Sequence, residues 1–274
     1  MESYTDFAEV YDEFMDETPY EAWCERIIRL IEQYGITKPY SELDAEGKSE
    51  EELALLSERN LILDLGCGTG TLTEMLASLG YDMMGIDMSY DMIQIAMEKR
   101  EESGNDIMYL CQDMRELELY CTVGTILCTC DSINYLLKPE EIVETLKRVN
   151  NYLYPKGLFI FDFNTDYKYR EVIGNTTIAE NREDCSFIWD NYYDAESSIN
   201  EYDLTIFVKE EEDLFRRFHE VHYQRGYSYG DMLNLVEKAG LEFVCALDSD
   251  NDGPVTVTTE RVVMVCREKG KKND

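Results

Sequence analysis

The chain has 274 residues, 44% hydrophobic and 12% aromatic, enough to bury a full core as one domain carrying an extra lobe. Its 58 acidic residues outnumber the 25 basic ones and leave a formal net charge of −33, a field that repels phosphate backbones and anionic membrane surfaces. Nucleic acid and membrane are therefore not expected partners, most of the acid reads as solvated surface, and a cationic ligand is electrostatically welcome.

Residues Met1 to Phe14 alternate acids and aromatics without a basic region followed by an apolar run, so no secretory leader is read there. No uninterrupted apolar stretch approaches the length of a membrane span, and the expected location is the cytoplasm. The nine cysteines include no C-x-x-C pair, the closest spacing being Cys128-x-Cys130 inside an apolar run. They read as small core residues of a reduced compartment, and no metal site is expected.

Along the chain, Trp23, Ile27, Ile28, Leu30 and Ile31 recur at helical spacing within Pro19 to Tyr34, ending near Gly35. Thr37 to Asn60 is rich in Glu and Ser, an acidic surface excursion in which Leu53, Leu55 and Leu56 suggest a short helix. From Leu61 onward strands alternate with helices. Strands are read at Leu61–Gly66, Tyr81–Asp87, Asp106–Gln112, Gly124–Cys130 and Gly157–Phe163, with helices at Thr71–Leu79, Tyr90 to about Arg100, and Glu140–Tyr152. Near-continuous apolar strands separated by helices indicate a parallel sheet covered on both faces.

The rhythm then changes. Three extended, aromatic-rich runs, Ser186–Tyr193, Ile199–Lys209 and Leu214–Tyr223, are separated by acidic turns and read as an antiparallel meander inserted after the fifth strand. A helix at Ser228–Ala239 and two strands, Leu241–Leu247 and Arg261–Cys266, return to the sheet. The fold class is thus α/β, a doubly wound Rossmann-like sheet with an antiparallel β insertion. The insertion is expected to stand above the carboxyl edge of the sheet and to cover a second ligand.

Four motifs fall at the carboxyl ends of parallel strands, where open α/β sheets bind ligands. L-D-L-G-C-G-T-G (Leu63 to Gly70) places glycines at a strand-to-helix turn, letting backbone approach a ligand closely. Its G-x-G-x-G spacing differs from the G-x-G-x-x-G of dinucleotide binders, which argues against a nicotinamide oxidoreductase. Asp87, ending the second strand, offers two acceptor oxygens to a ribose diol and indicates a nucleoside. Gln112-Asp113-Met114 follows the third strand, facing an adenine edge, and Cys130-Asp131-Ser132-Ile133-Asn134-Tyr135 closes the fourth.

Together these motifs resemble class I S-adenosylmethionine (SAM)-dependent methyltransferases of the small-molecule kind, with L-D-L-G-C-G-T-G, G-I-D-M-S and Q-D-M matching that family's first, second and adenine-side motifs. The resemblance covers Asn60 to about Phe163, and implies a seven-stranded sheet with a reversed last strand. F-A-x-V-Y-D-x-F-M (Phe7 to Met15) and H-Y-Q-R-G-Y (His222 to Tyr227) resemble an uncharacterised bacterial branch. By position, the resemblance implies that Gly66, Cys67 and Gly68 line the methionine part of SAM with Asp64 beneath. It further implies that Asp87 holds the ribose, Met88 and Met114 flank the adenine, Asp113 accepts its amino group, and Cys130 offers its carbonyl to the ammonium. An N-terminal aromatic arm closes over the cofactor in related enzymes, which nominates Tyr4 and Tyr11. Residue by residue, bland alternatives stand beside these roles: a turn cap for Asp64, core packing for Met88, Met114 and the tyrosines, and helix capping for Asp131 and Asn134.

On this reading residues 1–59 form a helical arm and acidic excursion, 60–164 the SAM-binding core, 165–226 the acceptor lobe, and 227–274 the completion of the core. The fourth motif, C-D-S-I-N-Y, departs from the N-P-P-Y or D-P-P-Y of DNA and some protein methyltransferases, which weakens an amide- or base-nitrogen substrate. The aromatic insertion suggests a pocket for something small or a peptide segment, and the expected acceptor is a small molecule accepting at N or O. An RNA methyltransferase fits the charge poorly, while a SAM-binding sensor without turnover has the same cofactor motifs. The oligomeric state is left open. The only two histidines, His219 and His222, lie in the third run of the insertion, an odd number apart on a strand, and so face opposite sides. His219 shares a face with Val221, Tyr223 and Arg225; His222 shares one with Phe218, Glu220 and Gln224. His222 is the catalytic candidate, to orient or deprotonate the acceptor near neutral pH; local hydrogen bonding within the lobe is the competing role.

Overall fold

The computed structural model describes residues 8–211 and 214–271. Helices α1 (Ala8–Phe14), α2 (Tyr20–Tyr34) and α3 (Glu50–Asn60) precede the first strand. Ser49 caps α3 as a capping box with Glu52, which fixes where the acidic excursion becomes helical. The core then runs β1 (Leu61–Leu65), α4 (Thr71–Ser78), β2 (Asp82–Asp87), α5 (Tyr90–Ser103), β3 (Ile107–Cys111), β4 (Val123–Cys128), α6 (Pro139–Tyr152) and β5 (Leu153–Asn164). A lobe of β6 (Thr177–Asn181), β7 (Cys185–Asp194), β8 (Ile199–Glu211) and β9 (Leu214–Arg225) follows. The chain returns through α7 (Tyr229–Ala239), β10 (Glu242–Asp248) and β11 (Arg261–Arg267).

The seven strands of the main sheet lie in the order β10-β11-β5-β4-β1-β2-β3. β11 is antiparallel to both β5 and β10, while the pairs among β1 to β5 are parallel. Alternation along each strand feeds both faces with apolar side chains. Leu63 and Leu65, with Phe159, Phe161 and Phe163, pack under α6 and α7, while Ile62, Leu158 and Ile160 pack under α2, α4 and α5. That two-sided burial is why these strands read as continuous hydrophobic runs in the sequence.

The lobe is a separate antiparallel sheet of four strands in the order β6-β7-β8-β9. Three were legible as aromatic runs. The fourth, β6, pairs with β7 at the edge and is mostly exposed, so Thr177–Asn181 carries little apolar signal. On the inner face Phe187, Leu204, Ile206 and Phe218 form a third cluster, closed by Val10 and Phe14 of α1. Nearer the main sheet the same face turns polar, with Asn191, Asn200, Glu220, His222 and Gln224 all buried. There it meets the turn after β4, where Gln224 donates to Asp131 at 2.7 Å and Asn134 donates to the Arg225 carbonyl at 2.7 Å. The lobe therefore sits at the carboxyl edge of the sheet, on the side of the glycine turn.

Candidate active site

A cavity of about 970 Å³, counted out to its open mouth, lies at the carboxyl ends of β1, β2 and β4. Its floor is the glycine turn between β1 and α4. Gly66, Gly68 and Gly70 all have left-handed backbone, at φ +82°, +55° and +76°. A Cβ on Gly66 would stand 2.8 Å from Ser132 Oγ, and one on Gly70 would stand 2.5 Å from the Tyr109 hydroxyl. At Gly68 a Cβ would meet nothing within 4 Å. The outer glycines thus let the turn pack against its neighbours, and the middle one leaves open space.

Two carboxylates face this turn from below and from the side. Asp64 is almost fully buried and accepts from the Thr73 hydroxyl at 2.6 Å through Oδ2. Among the described residues none donates to its Oδ1, and burial pushes its carboxyl up to about 6. Asp87 accepts from the Gly68 N–H at 2.9 Å through Oδ2 and from the Ser89 N–H at 2.8 Å through Oδ1. Burial raises its pKa, and hydrogen bonds from the backbone of Ser89, Gly68 and Met88 oppose that rise. A carboxylate has about four acceptor positions, so Asp87 retains room for a further donor while holding the turn in shape.

The wall beyond β4 begins with two residues in left-handed backbone, Cys130 at φ +58° and Asp131 at φ +50°. Neither is glycine, and such positions cost about 1–2 kcal/mol each. Asp162 on β5 offsets the strain by accepting from both N–H groups, at 3.0 Å from Cys130 and 2.6 Å from Asp131. Arg261 on β11 pairs in turn with Asp131. The roof comes from α1. Its Tyr11 lines the cavity with the hydroxyl 3.8 Å from Cys130 Sγ, and its Asp12 accepts from Thr69 at 2.7 Å and pairs with Lys99 at 2.6 Å.

Residues 62–157 match the family model of a methyltransferase domain. Over 97% of this chain and 99% of the relative, the sequence is 31% identical to GWCH70_2453 of Geobacillus sp. (strain WCH70), which carries a methyltransferase name. The chain belongs to the class I SAM-dependent methyltransferases. In structure it resembles a SAM-dependent methyltransferase from Clostridium acetobutylicum ATCC 824 with a TM-score of 0.81, 26% identity, and coverage of 97% of this chain and 99% of that one. It shares its fold with SAM-bound CalS10, an amino pentose methyltransferase from Micromonospora echinaspora, at a TM-score of 0.60, 18% identity, and coverage of 81% and 93%. The cofactor of this methyltransferase is SAM. Among its described residues no helix is long and apolar enough to cross a membrane.

Of the sequence-based candidates, Tyr11, Asp64, Gly66, Cys67, Gly68, Asp87, Met88, Met114 and Cys130 all line the cavity of the methyltransferase. Tyr4 lies outside the described residues. Asp113 does not line the cavity. Both its oxygens are engaged by the Arg115 guanidinium at 2.5–3.0 Å, which holds its carboxyl below the usual range, and Oδ1 also takes the Arg115 N–H at 2.8 Å. Gln112, one residue earlier, lines the cavity at that edge.

His222 does not line the cavity. It is buried on the inner face of β9, and its Nδ1 lies 3.3 Å from the hydroxyl of Tyr135, which does line the cavity. His219 is on the outer face, 2.7 Å from Asp203. Sequence reasoning passed over Tyr20, Thr69, Thr71, Ser132 and Tyr135 as wall residues. For Ser132 and Tyr135 the signal was present, since both belong to the motif closing the fourth strand; Tyr20 enters only through the packing of α2.

Proposed function

We propose that this methyltransferase acts on a small molecule that accepts the methyl group at nitrogen or oxygen. The observation that carries the reading is the roof: α1 is tied through Asp12 to the glycine turn and through Val10 and Phe14 to the lobe, so the cofactor cavity lies beneath a cover. A net charge of −33 disfavours polyanionic acceptors, and CalS10, similar in fold, is an amino pentose methyltransferase.

The residues around the cavity suit SAM. Among the described residues none donates to the buried Oδ1 of Asp64, an acceptor suited to a cationic donor, and the cofactor carries an ammonium. Asp87 has an acceptor position left for the ribose, the turn at Gly66 to Gly68 offers backbone beside the methionine part, and Cys130 stands at the ammonium end. Met88 and Met114 flank the adenine, with Gln112 in the place expected of Asp113. Tyr11 closes the cavity from α1. The cofactor supplies an activated methyl group, so the chain's own contribution is to orient the acceptor and exclude water.

The test supplies the protein with SAM carrying a trideuterated methyl group and the low-molecular-weight fraction of a bacterial extract. Mass spectrometry is expected to find a small molecule gaining that group, with S-adenosylhomocysteine as co-product. Label confined to protein or RNA in an unfractionated extract would overturn the small-molecule reading.

A further inference from the structure

We propose that Tyr135, His222 and Glu220 form a relay that removes the acceptor's proton during methyl transfer, with Tyr135 as the catalytic residue and the other two as positioning residues. The proposal deepens the reading of a small N or O acceptor and rests on it. Tyr135 closes the short turn after β4 and lines the cavity. Its hydroxyl lies 3.3 Å from His222 Nδ1, with the two rings edge to face at 73°. On the far side of the imidazole, Nε2 lies 3.1 Å from Glu220 Oε2, and the His222 and Glu220 side chains are only 4% and 7% exposed.

This placement is costly for the fold and useful for chemistry. Apolar residues of similar volume commonly serve a sheet face at least as well as a buried ionisable pair. The same face of the lobe is already packed by Phe218, Leu204 and Ile206 a little further along. A cavity-facing hydroxyl backed by an imidazole, itself backed by a carboxylate, has the order of parts that activates a weak acid–base group in acyl-transfer triads. Glu220 stands at ion-pair distance from Nε2 without hydrogen-bond alignment, so its negative charge alone favours the tautomer with hydrogen on Nε2, which leaves the Nδ1 lone pair toward Tyr135. Among the described residues, Tyr202 stands opposite His222 on β8, and Asp131 follows one side chain further, through Gln224.

The step balances without a further reactant. The acceptor atom bonds to the methyl carbon as the carbon–sulfur bond breaks, its electron pair staying on sulfur. The acceptor's proton passes to the Tyr135 oxygen while the Tyr135 proton passes to His222 Nδ1. The resulting imidazolium faces the Glu220 carboxylate and later returns its proton to water.

With two histidines in the chain, ring nitrogen NMR resolves the relay without an acceptor. In the full-length protein, with and without S-adenosylhomocysteine, His222 is expected as the neutral Nε2–H tautomer at pH 8. Its Nδ1 signal should shift in Tyr135→Phe, and its tautomer balance should move toward Nδ1–H in Glu220→Gln. In the trideuteromethyl assay, Tyr135→Phe and His222→Gln should lower product formation at least tenfold with S-adenosylhomocysteine affinity kept, while His219→Gln remains at the wild-type rate. Hydrogen on Nδ1 in the wild type, an Nδ1 signal indifferent to Tyr135→Phe, or wild-type turnover by either variant would overturn the relay. If the small-molecule reading itself fails, the wild type makes no labelled small product, and the NMR measurements still decide the relay.

Discussion

Gln224 on β9 donates to Asp131 Oδ2 across 2.7 Å, and its own carbonyl oxygen accepts from the Tyr169 hydroxyl at 2.8 Å. One buried amide thereby fastens the lobe to the wall of the cofactor cavity, since Asp131 also pairs with Arg261 and follows Cys130 directly. The lobe's position over the carboxyl edge is in this way specified by polar contacts, whereas its far end is held by apolar packing against α1.

Replacing that amide should loosen the junction. Gln224→Leu removes a donor and an acceptor at once and leaves Asp131 Oδ2 and the Tyr169 hydroxyl each short of a partner. A loss of about 1–3 kcal/mol is expected from urea unfolding, since a buried group left unsatisfied forfeits that much. An unchanged midpoint would mean that water or Arg261 satisfies Asp131 equally well.

Asp87 is expected to be the strongest side-chain determinant of cofactor affinity. Its charged oxygens hold Gly68 and retain a free acceptor position, and hydrogen bonds to charged groups contribute about 1.5–3 kcal/mol. Asp87→Ala should weaken S-adenosylhomocysteine roughly ten- to a hundred-fold by calorimetry. Affinity within a factor of two of wild type would remove Asp87 from the site.

Asp64 makes stability depend on pH in an unusual direction. Its folded pKa of about 6 lies above the ordinary carboxyl value of about 3.9, because burial penalises the charge. Folding therefore favours the protonated form. The group costs the fold nothing below about pH 4, and its penalty grows as pH rises toward 6, levelling off above at no more than about 3 kcal/mol. Asp64→Asn keeps an oxygen to accept from Thr73 and removes the buried charge. The variant should be more stable than the wild type at pH 8 by about 1–3 kcal/mol, with the advantage fading as pH falls toward 4. It should also bind SAM more weakly at pH 8. Melting curves at both pH values, without ligand, check the first expectation, and a pH-independent difference would refute it.

The core sheet was legible because its strands are apolar on both faces and the first four end at motifs, which leaves little room for another register. Less was legible wherever a partner far away in sequence decides the outcome. Asp113 matched the adenine-side motif, yet Arg115 two residues later competes for its carboxylate, and pattern alone does not weigh that competition. Strand alternation only set His222 and His219 on opposite sides. The choice of His222 rested on the H-Y-Q-R-G-Y stretch, which resembles the family branch and leads into the last helix; the buried face is that of Phe218, Glu220 and Gln224. Its depth could not be read, because Tyr135 stands between it and the cavity from 87 residues away. Helix α1 was missed as an element, being a short acidic segment whose order comes from Val10, Asp12 and Phe14 meeting distant partners.

The two glycines that open the glycine turn should respond differently to the same substitution. Gly66→Ala combines a left-handed backbone with a Cβ 2.8–2.9 Å from the Ser132 side chain, which is itself held by a 2.8 Å bond to the Thr129 carbonyl. Strain and overpacking together should cost roughly 2–5 kcal/mol. Gly68→Ala carries the backbone strain alone, about 1–2 kcal/mol, because its methyl group meets open space and its N–H can still donate to Asp87. Gly68→Ala should therefore fold with a modestly lowered melting temperature while losing SAM affinity, since the new methyl stands on the cavity floor. Gly66→Ala should instead lose stability first. Calorimetry and thermal melts on the two variants separate the effects; equal destabilisation by both, or full SAM affinity in Gly68→Ala, would show that the middle glycine does not face the cofactor.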